Sequence, residues 1–269
     1  MAELKIGISG CSGRMGRMVA LELLETKDIR LAGGIDAPDS PYLGRDLGDL
    51  AGVGALGIKA GSDALGLFRI ADAVIDFSAP AASVGHAKIA AATGKALVIG
   101  TTGLDTAQTS ALKQAARKAP ILWAPNMSVG VNLLLKLVRE AATQLGPEYD
   151  IEILEMHHRH KVDAPSGTAL ALGREAAAGR GTDLGKKRVA ARDGITGPRK
   201  AGDIGFAVLR GGDEVGLHKV MFAGAGEVIE LAHRVTSRRV FARGAVRAAL
   251  WLAKKKPGLY AMADVLAKP

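Results

Sequence analysis

Residues 10–16 read GCSGRMG, three glycines at three-residue spacing, directly after an alternating segment in which Leu4, Ile6 and Ile8 share a face. Apolar residues then recur at Met15, Val19, Leu23 and Leu24, the period of a helix. Strand, glycine turn and helix in immediate succession constrain the chain more than any other feature, because only glycine lets a backbone pass so close to a helix start. The spacing G-x-x-G-x-x-G departs from the usual G-x-G-x-x-G, so the reading rests on its context. IRLAGGID (29–36) reads as the next strand and ends on Asp36, twenty residues beyond Gly16, where a ribose-binding acid stands in dinucleotide-binding units.

In such a unit the glycines admit a pyrophosphate, which meets backbone N–H groups and the positive end of the helix dipole. An Asp at the second strand accepts hydrogen bonds from the ribose hydroxyls. The plainer alternative is a tight strand-to-helix turn with an exposed Asp. Asp36 is followed by Ala37 and Pro38, with no arginine beside it to meet a 2′-phosphate. This leans to NADH, while Arg14 in the loop leaves NADPH open.

Further along, AVIDFS (73–78) and ALVIGTT (96–102) are strand-like and each precedes an alanine-rich helical stretch, and ILWAPN (121–126) reads as the final strand of this part. Strands alternating with helices argue for a parallel sheet covered on both faces. GTTG (100–103) and APNM (124–127) fall at strand C-terminal ends, where open parallel sheets bind ligands; each reads equally as a pocket wall or a plain turn. After Asn126 the pattern changes to a long amphipathic helix (128–145), a strand (150–156), a helix (165–177) and the strand-like segments GFAVLR, GLHKVMFA and GEVIELAHRV. The fold class is therefore α/β: a Rossmann-type parallel-sheet domain over 1–127, then a second α+β domain with a mixed sheet over 128–238. FARGAVRAALWLA (241–253) has a helical apolar face, and 239–269 is expected to pack back on the first domain. GRGTDLGKKRVAARDGITGPRKAGDIG (179–205) reads as a long, mobile loop.

The 36 basic residues exceed the 27 acidic ones for a net charge of +9, which suits small anionic ligands or a solvated basic surface. Nucleic acid is not expected, since the basic residues are dispersed and no aromatic-studded basic strand is present. Nor does a membrane fit, as no run of about 18 apolar residues occurs. The single cysteine, Cys11, excludes an internal disulfide and fits a reducing compartment, so a cytoplasmic location is expected.

EMHHRHKVDAPSGTALALG (155–173) concentrates polar chemistry. As a strand, 149–157 puts Glu155 and His157 on one face and Met156 and His158 on the other, so both histidines reach one site only if the chain bends. H-H-x-H without a cysteine or a helical i, i+4 pair is poor metal spacing, and no metal is expected. Ser166, Gly167 and Thr168 follow Pro165 at a helix start, which receives a carboxylate through N–H groups, hydroxyls and the dipole. With Lys161 and the imidazoles alongside, this looks like an acid site for a small di-anion.

The segment EMHHRHKVDAPSGTAL strongly resembles the signature of the 4-hydroxy-tetrahydrodipicolinate reductase (dihydrodipicolinate reductase) family. The resemblance extends through GCSGRMGR, VIDFS, VIGTTG, NMSVGVN, IGFAVLRGGDEVGLH and AVRAALWL, nearly the whole chain. It implies NAD(P)H-dependent reduction of a cyclic dicarboxylate in lysine and diaminopimelate synthesis, hinge closure between the domains, and a homotetramer built by the second sheet. By the same analogy His157 and Lys161 form the acid–base pair, His158 helps bind substrate, and Gly167 and Thr168 hold a carboxylate, joined on the helix-start reading above by Ser166. The cofactor contacts would be Gly10, Cys11, Ser12, Gly13, Arg14, Met15, Asp36, Gly100, Thr101, Thr102, Ala124, Pro125, Asn126 and Met127. Two positions depart from the family pattern: Asp36-Ala37 stands where Glu-Arg is frequent, and Leu217-His218 where Glu-His is common. Another two-domain dehydrogenase and a dinucleotide-sensing regulator are the rival readings; no helix-turn-helix segment supports the latter.

Overall fold

The runs AVID, ALVI and PILW are buried at nearly every position, a burden only a strand covered on both faces carries. In the computed structural model, which describes residues 3–267, they lie side by side in a parallel sheet. In chain order the strands are β1 (Leu4–Ser9), β2 (Ile29–Ile35), β3 (Ala60–Gly61), β4 (Ala73–Asp76), β5 (Ala96–Ile99), β6 (Pro120–Trp123), β7 (Asp150–His157), β8 (Arg188–Val189), β9 (Ile204–Arg210), β10 (Gly216–Gly224), β11 (Glu227–Val235) and β12 (Gly258–Tyr260). The helices are α1 (Arg14–Glu25), α2 (Leu47–Ala51), α3 (Ala64–Ile70), α4 (Pro80–Thr93), α5 (Thr106–Ala115), α6 (Val129–Gln144), α7 (Gly167–Gly179), α8 (Leu184–Lys187), α9 (Arg239–Leu252) and α10 (Met262–Leu266).

The chain divides into two units, one formed by the residues up to Val129 together with those from Arg239 onward, the other by Gly130–Arg238. The first holds a seven-stranded sheet in the order β12-β6-β5-β4-β1-β2-β3, all parallel. Strand order reverses at β1, between β4 and β2, which opens a crevice at the strand C-terminal ends. One face is covered by α1 and α9, whose Val19, Leu23, Ala245 and Ala249 pack on Ile6, Ile8, Ile75 and Val98. The α9 helix is also held electrostatically: Arg239 and Arg243 reach the buried Glu22 of α1 at 3.0 and 3.1 Å.

The second unit is a five-stranded mixed sheet, β11-β10-β7-β9-β8, in which β10 runs antiparallel to both neighbours and β7, β9 and β8 run parallel. Its buried face packs Ile151, Ile153, Phe206, Val220 and Phe222 against Leu134 and Val138 of α6 and Leu172 and Ala176 of α7.

Two sequence expectations need correcting. ILWAPN is not the last strand of its sheet, since Gly258–Tyr260 pairs outside β6; three residues between a proline and a helix are too few to display alternation. The 179–205 stretch is not a plain mobile loop. It contains α8 and β8, and Arg199 pins it to β7 through Asp150 at 2.6 Å, Glu152 at 2.9 Å and the Ile151 carbonyl at 3.1 Å. Arg192 adds a two-pronged pair with Glu152 at 2.8 and 2.9 Å.

Close approach sets the glycine loop. Gly10 adopts φ +73°, and a Cβ there would overlap the Phe77 carbonyl; one on Gly16 would overlap the Gly10 carbonyl. Helix propensity alone would make Gly16→Ala stabilising by about 1 kcal/mol. The overlap reverses the sign, and chemical denaturation of this variant is expected to show a loss of about 1–3 kcal/mol.

Candidate active site

In the first unit the helix start and the strand ends enclose two clefts that share Gly13, Phe77 and Ser78. One, of ≈ 490 Å³, is lined by Gly13, Arg14, Met15, Phe77, Ser78, Gly100, Thr101, Thr102, Pro125, Asn126, Met127 and Phe241. The other, of ≈ 430 Å³, runs past Gly10, Ser12, Ile35, Asp36, Ala37 and Pro38 to His86. Most of the residues expected at the cofactor are thus gathered on one elongated surface. Two contribute differently. The Cys11 thiol is buried, packs towards Gly34 and is pushed up to about 12, first by burial and then by the Asp36 charge; its N–H is taken by the Ile35 carbonyl at 3.1 Å. Ala124 is buried, with its N–H on Ile99 at 3.1 Å. Phe77, Ser78, His86 and Phe241 went unnoticed as site residues, since nothing local marks an aromatic or a helical histidine as lining a cleft.

The surface fits a dinucleotide. The first intrahelical bond of α1 runs from Arg17 N–H to the Gly13 carbonyl at 3.0 Å, so the N–H groups of Arg14 and Met15 precede the ladder at the cleft wall. Gly13 supplies no side-chain cap and the first turn carries no acid, which leaves the positive helix end to an anion. At the other end, Ser12 donates its N–H at 3.2 Å and its hydroxyl to Asp36 Oδ2, while Ala37 N–H donates to Oδ1 at 2.9 Å. The carboxylate is thereby fixed beside a cleft whose described lining includes no lysine or arginine. Below it, the buried Asp76 accepts from Ser78 Oγ at 2.5 Å and pairs with His86 Nδ1 at 3.2 Å.

In the second unit β7 alternates as its sequence requires, with Ile151, Ile153, Glu155 and His157 buried. The strand stops at His157. His158 N–H turns to the Glu214 carbonyl at 2.7 Å, and its Nε2 faces Arg238 at 3.3 Å, while Nδ1 is buried without a hydrogen-bond partner among the described residues. His160 is exposed, 6.2 Å from the His158 ring centroid. Lys161 Nζ donates to Asp163 Oδ1 at 2.7 Å, which holds the Asp163 carboxyl below its usual range.

Ser166 caps α7, its Oγ accepting from Ala169 N–H at 3.2 Å. The N–H groups of Gly167 and Thr168 therefore precede the helical ladder, and among the described residues a Cβ on Gly167 would meet nothing within 4 Å. Beneath this start lies the fully buried Glu155. It accepts from Ser166 N–H at 3.0 Å, from His157 Nδ1 at 2.5 Å, and from Arg210 at 2.9 Å on each oxygen. Burial opposes the Glu155 charge, but these hydrogen bonds outweigh it and hold the carboxyl below its usual range. His157 is pushed down, chiefly by burial and with Lys161 and Arg210 adding, against the pull of Glu155. His218, from β10, lies edge-on to His157 with ring centroids 5.0 Å apart and reaches Ser166 Oγ at 3.0 Å. Sequence reading had given it no part in the site. Among the described residues no group of three or more His, Cys, Asp or Glu is placed to hold a metal ion, and no helix is long and apolar enough to cross a membrane.

Comparison with known proteins gives consistent matches. Residues 4–127 match the model of the dihydrodipicolinate reductase N-terminus and residues 130–266 that of its C-terminus. A 4-hydroxy-tetrahydrodipicolinate reductase of Beijerinckia indica is 53% identical over 266 residues, covering 99% of this chain and 98% of the relative. One of Parvibaculum lavamentivorans is 55% identical, covering 98% of each. Among solved structures, the dipicolinate-bound dihydrodipicolinate reductase of Paenisporosarcina sp. TG-14 superposes with a TM-score of 0.77 at 23% identity, covering 96% of this chain and 97% of that one.

The electrostatics of this buried cluster make a stability prediction. His218 is pushed from 6.5 down to about 4, first by burial and then by the His157 charge. Between those values the unfolded chain binds a proton that the folded chain does not, so stability rises with pH and is lost as pH falls, by at most about 1.4 kcal/mol per pH unit. Thermal melts between pH 6.5 and 4.5 are expected to shift less in His218→Asn than in the parent protein. Equal slopes would assign the acid sensitivity elsewhere.

Proposed function

The chain belongs to the dihydrodipicolinate reductase family, and from that premise we propose how its residues divide the work of reducing 4-hydroxy-tetrahydrodipicolinate with NAD(P)H to tetrahydrodipicolinate and water. Loss of the 4-hydroxyl as water leaves a conjugated ring with two carboxylates. When bound, the dihydronicotinamide supplies a hydride to C4 of that ring, and the resulting enamine takes a proton at C3.

The α7 start receives one carboxylate through the N–H groups of Gly167 and Thr168 and the Thr168 hydroxyl, with His158 assisting at the ring. This Ser166-capped helix start, tied to His157 through the shared Glu155 carboxylate, is the observation that carries the proposal. Lys161 delivers the C3 proton, leaving Asp163 for the substrate, and His157 orients it; as burial favours the neutral imidazole, the ammonium is the better acid. In the first unit, the N–H groups at the α1 start hold the pyrophosphate, Gly100 to Thr102 and Pro125 to Met127 wall the nicotinamide, and Asp36 takes the adenosine ribose hydroxyls. Cys11 and Ala124 support this surface from beneath.

NADH is the preferred cofactor. The fixed Asp36 carboxylate repels a 2′-phosphate, and the described lining of its cleft offers no cation to compensate. The working assembly is a homotetramer formed through the second unit's sheet, a reading supported by exposed Val228 and Ile229 on β11. It works in the cytoplasm, in keeping with one buried cysteine.

Replacing Lys161 with alanine is expected to lower kcat by about 10²-fold or more, while NADH affinity, read by fluorescence titration, changes less than about twofold. Near-normal turnover would remove Lys161 as the donor. Separately, the pair Asp36→Ser with Ala37→Arg should move the NADPH-to-NADH ratio of kcat/KM up by at least about tenfold, the value of one charge-assisted contact. An unchanged ratio would place cofactor choice outside this strand end.

A further inference from the structure

We propose that Glu155 is a positioning residue, which fixes His157 with its proton on Nδ1 and its lone pair on Nε2 and ties that ring to the helix start that grips the substrate. The inference rests on the reading above that His157 and the α7 start work on the same substrate.

The geometry leaves Glu155 one role. Oε1 accepts from Ser166 N–H and Arg210 Nη2, and Oε2 accepts from His157 Nδ1 and Arg210 Nη1, at 3.0, 2.9, 2.5 and 2.9 Å. Four acceptor positions are thus filled, and the side chain is fully buried, so Glu155 has nothing left for a substrate. Arg210 keeps it ionised, and an ionised carboxylate only accepts; the hydrogen between it and His157 therefore sits on Nδ1. A neutral ring held this way offers Nε2 as its working atom.

The remaining neighbours agree. A Cβ on Gly216 would lie 3.1 Å from His157 Nε2, so the absence of a side chain there keeps that edge of the ring unobstructed. The charged and titratable groups facing the ring are Glu155 on its own strand, Arg210 on β9, His218 on β10, Lys161 beyond the strand and Glu214 before β10. Of these, Glu155 is the one hydrogen-bonded to the ring among the described residues. Ser166 N–H binds the same carboxylate, so a displacement of Glu155 would move the acid–base ring and the carboxylate grip together. Sequence reading placed Glu155 and His157 on one face without assigning the glutamate a task.

The test is Glu155→Gln. The amide keeps an oxygen for Ser166 but turns an NH₂ towards Nδ1, which drives the ring proton to Nε2. We expect kcat to fall by about 10²-fold or more, as for other histidines forced into the wrong tautomer, with KM for the substrate changing less than about fivefold and NADH binding intact. Nitrogen-15 NMR of the imidazole should report Nδ1–H in the parent protein and Nε2–H in the variant. A folded variant with kcat within about threefold of the parent would overturn the proposal, and so would Nε2–H in the parent, a measurement that requires no variant to fold. The tautomer is read without turnover, so full activity in both His157→Ala and Lys161→Ala would defeat the mechanism above and leave the tautomer result standing.

Discussion

A carboxylate removed from water must be compensated in full, and at the end of β7 that requirement organises everything around it. Desolvating an unpaired charge costs several kcal/mol, so Glu155 is tolerable only with Arg210, His157 and the Ser166 N–H all in place. Those partners come from β9, from its own strand and from the start of α7. The mixed topology makes this possible: the parallel pairing of β7 with β9 sets Arg210 level with His157, while antiparallel β10 sets His218 level with Glu155.

The two units open a helix after a strand in different ways. Both present a helix start after a strand. At α1 glycines replace side chains and Gly13 supplies no cap, the start that the proposed function assigns to the pyrophosphate. At α7 the Ser166 hydroxyl accepts from Ala169 N–H, a side-chain cap that α1 lacks, and this is the start that the proposed function assigns to a substrate carboxylate.

What could be read from the sequence followed from locality. The glycine loop, the apolar runs of β4, β5 and β6, the shared face of Glu155 and His157, and the α7 start all sit within a few residues of their own cause. Arg210 and His218 escaped notice because they act on Glu155 and Ser166 across 55 and 52 residues, and no periodicity announces such a pairing. Arg199 escaped for the same reason, anchoring by a few charged contacts a stretch whose composition argues for mobility. Cys11 stands in the right loop, yet its thiol turns into the core, because the strand alternation that aims a side chain stops where the turn begins.

The first unit is interrupted by the second, and this has a consequence for synthesis. A ribosome releases β1 to β6 first, but α9, which covers the apolar face of α1, and β12, which closes the edge of β6, emerge only after residue 238. The inserted unit is continuous in sequence and can condense while the first still waits with an open strand edge and an uncovered helix. Nascent chains truncated within that interval carry the aggregation risk of an unfinished sheet, and Glu22 keeps its water until α9 brings the arginines that cover and pair it.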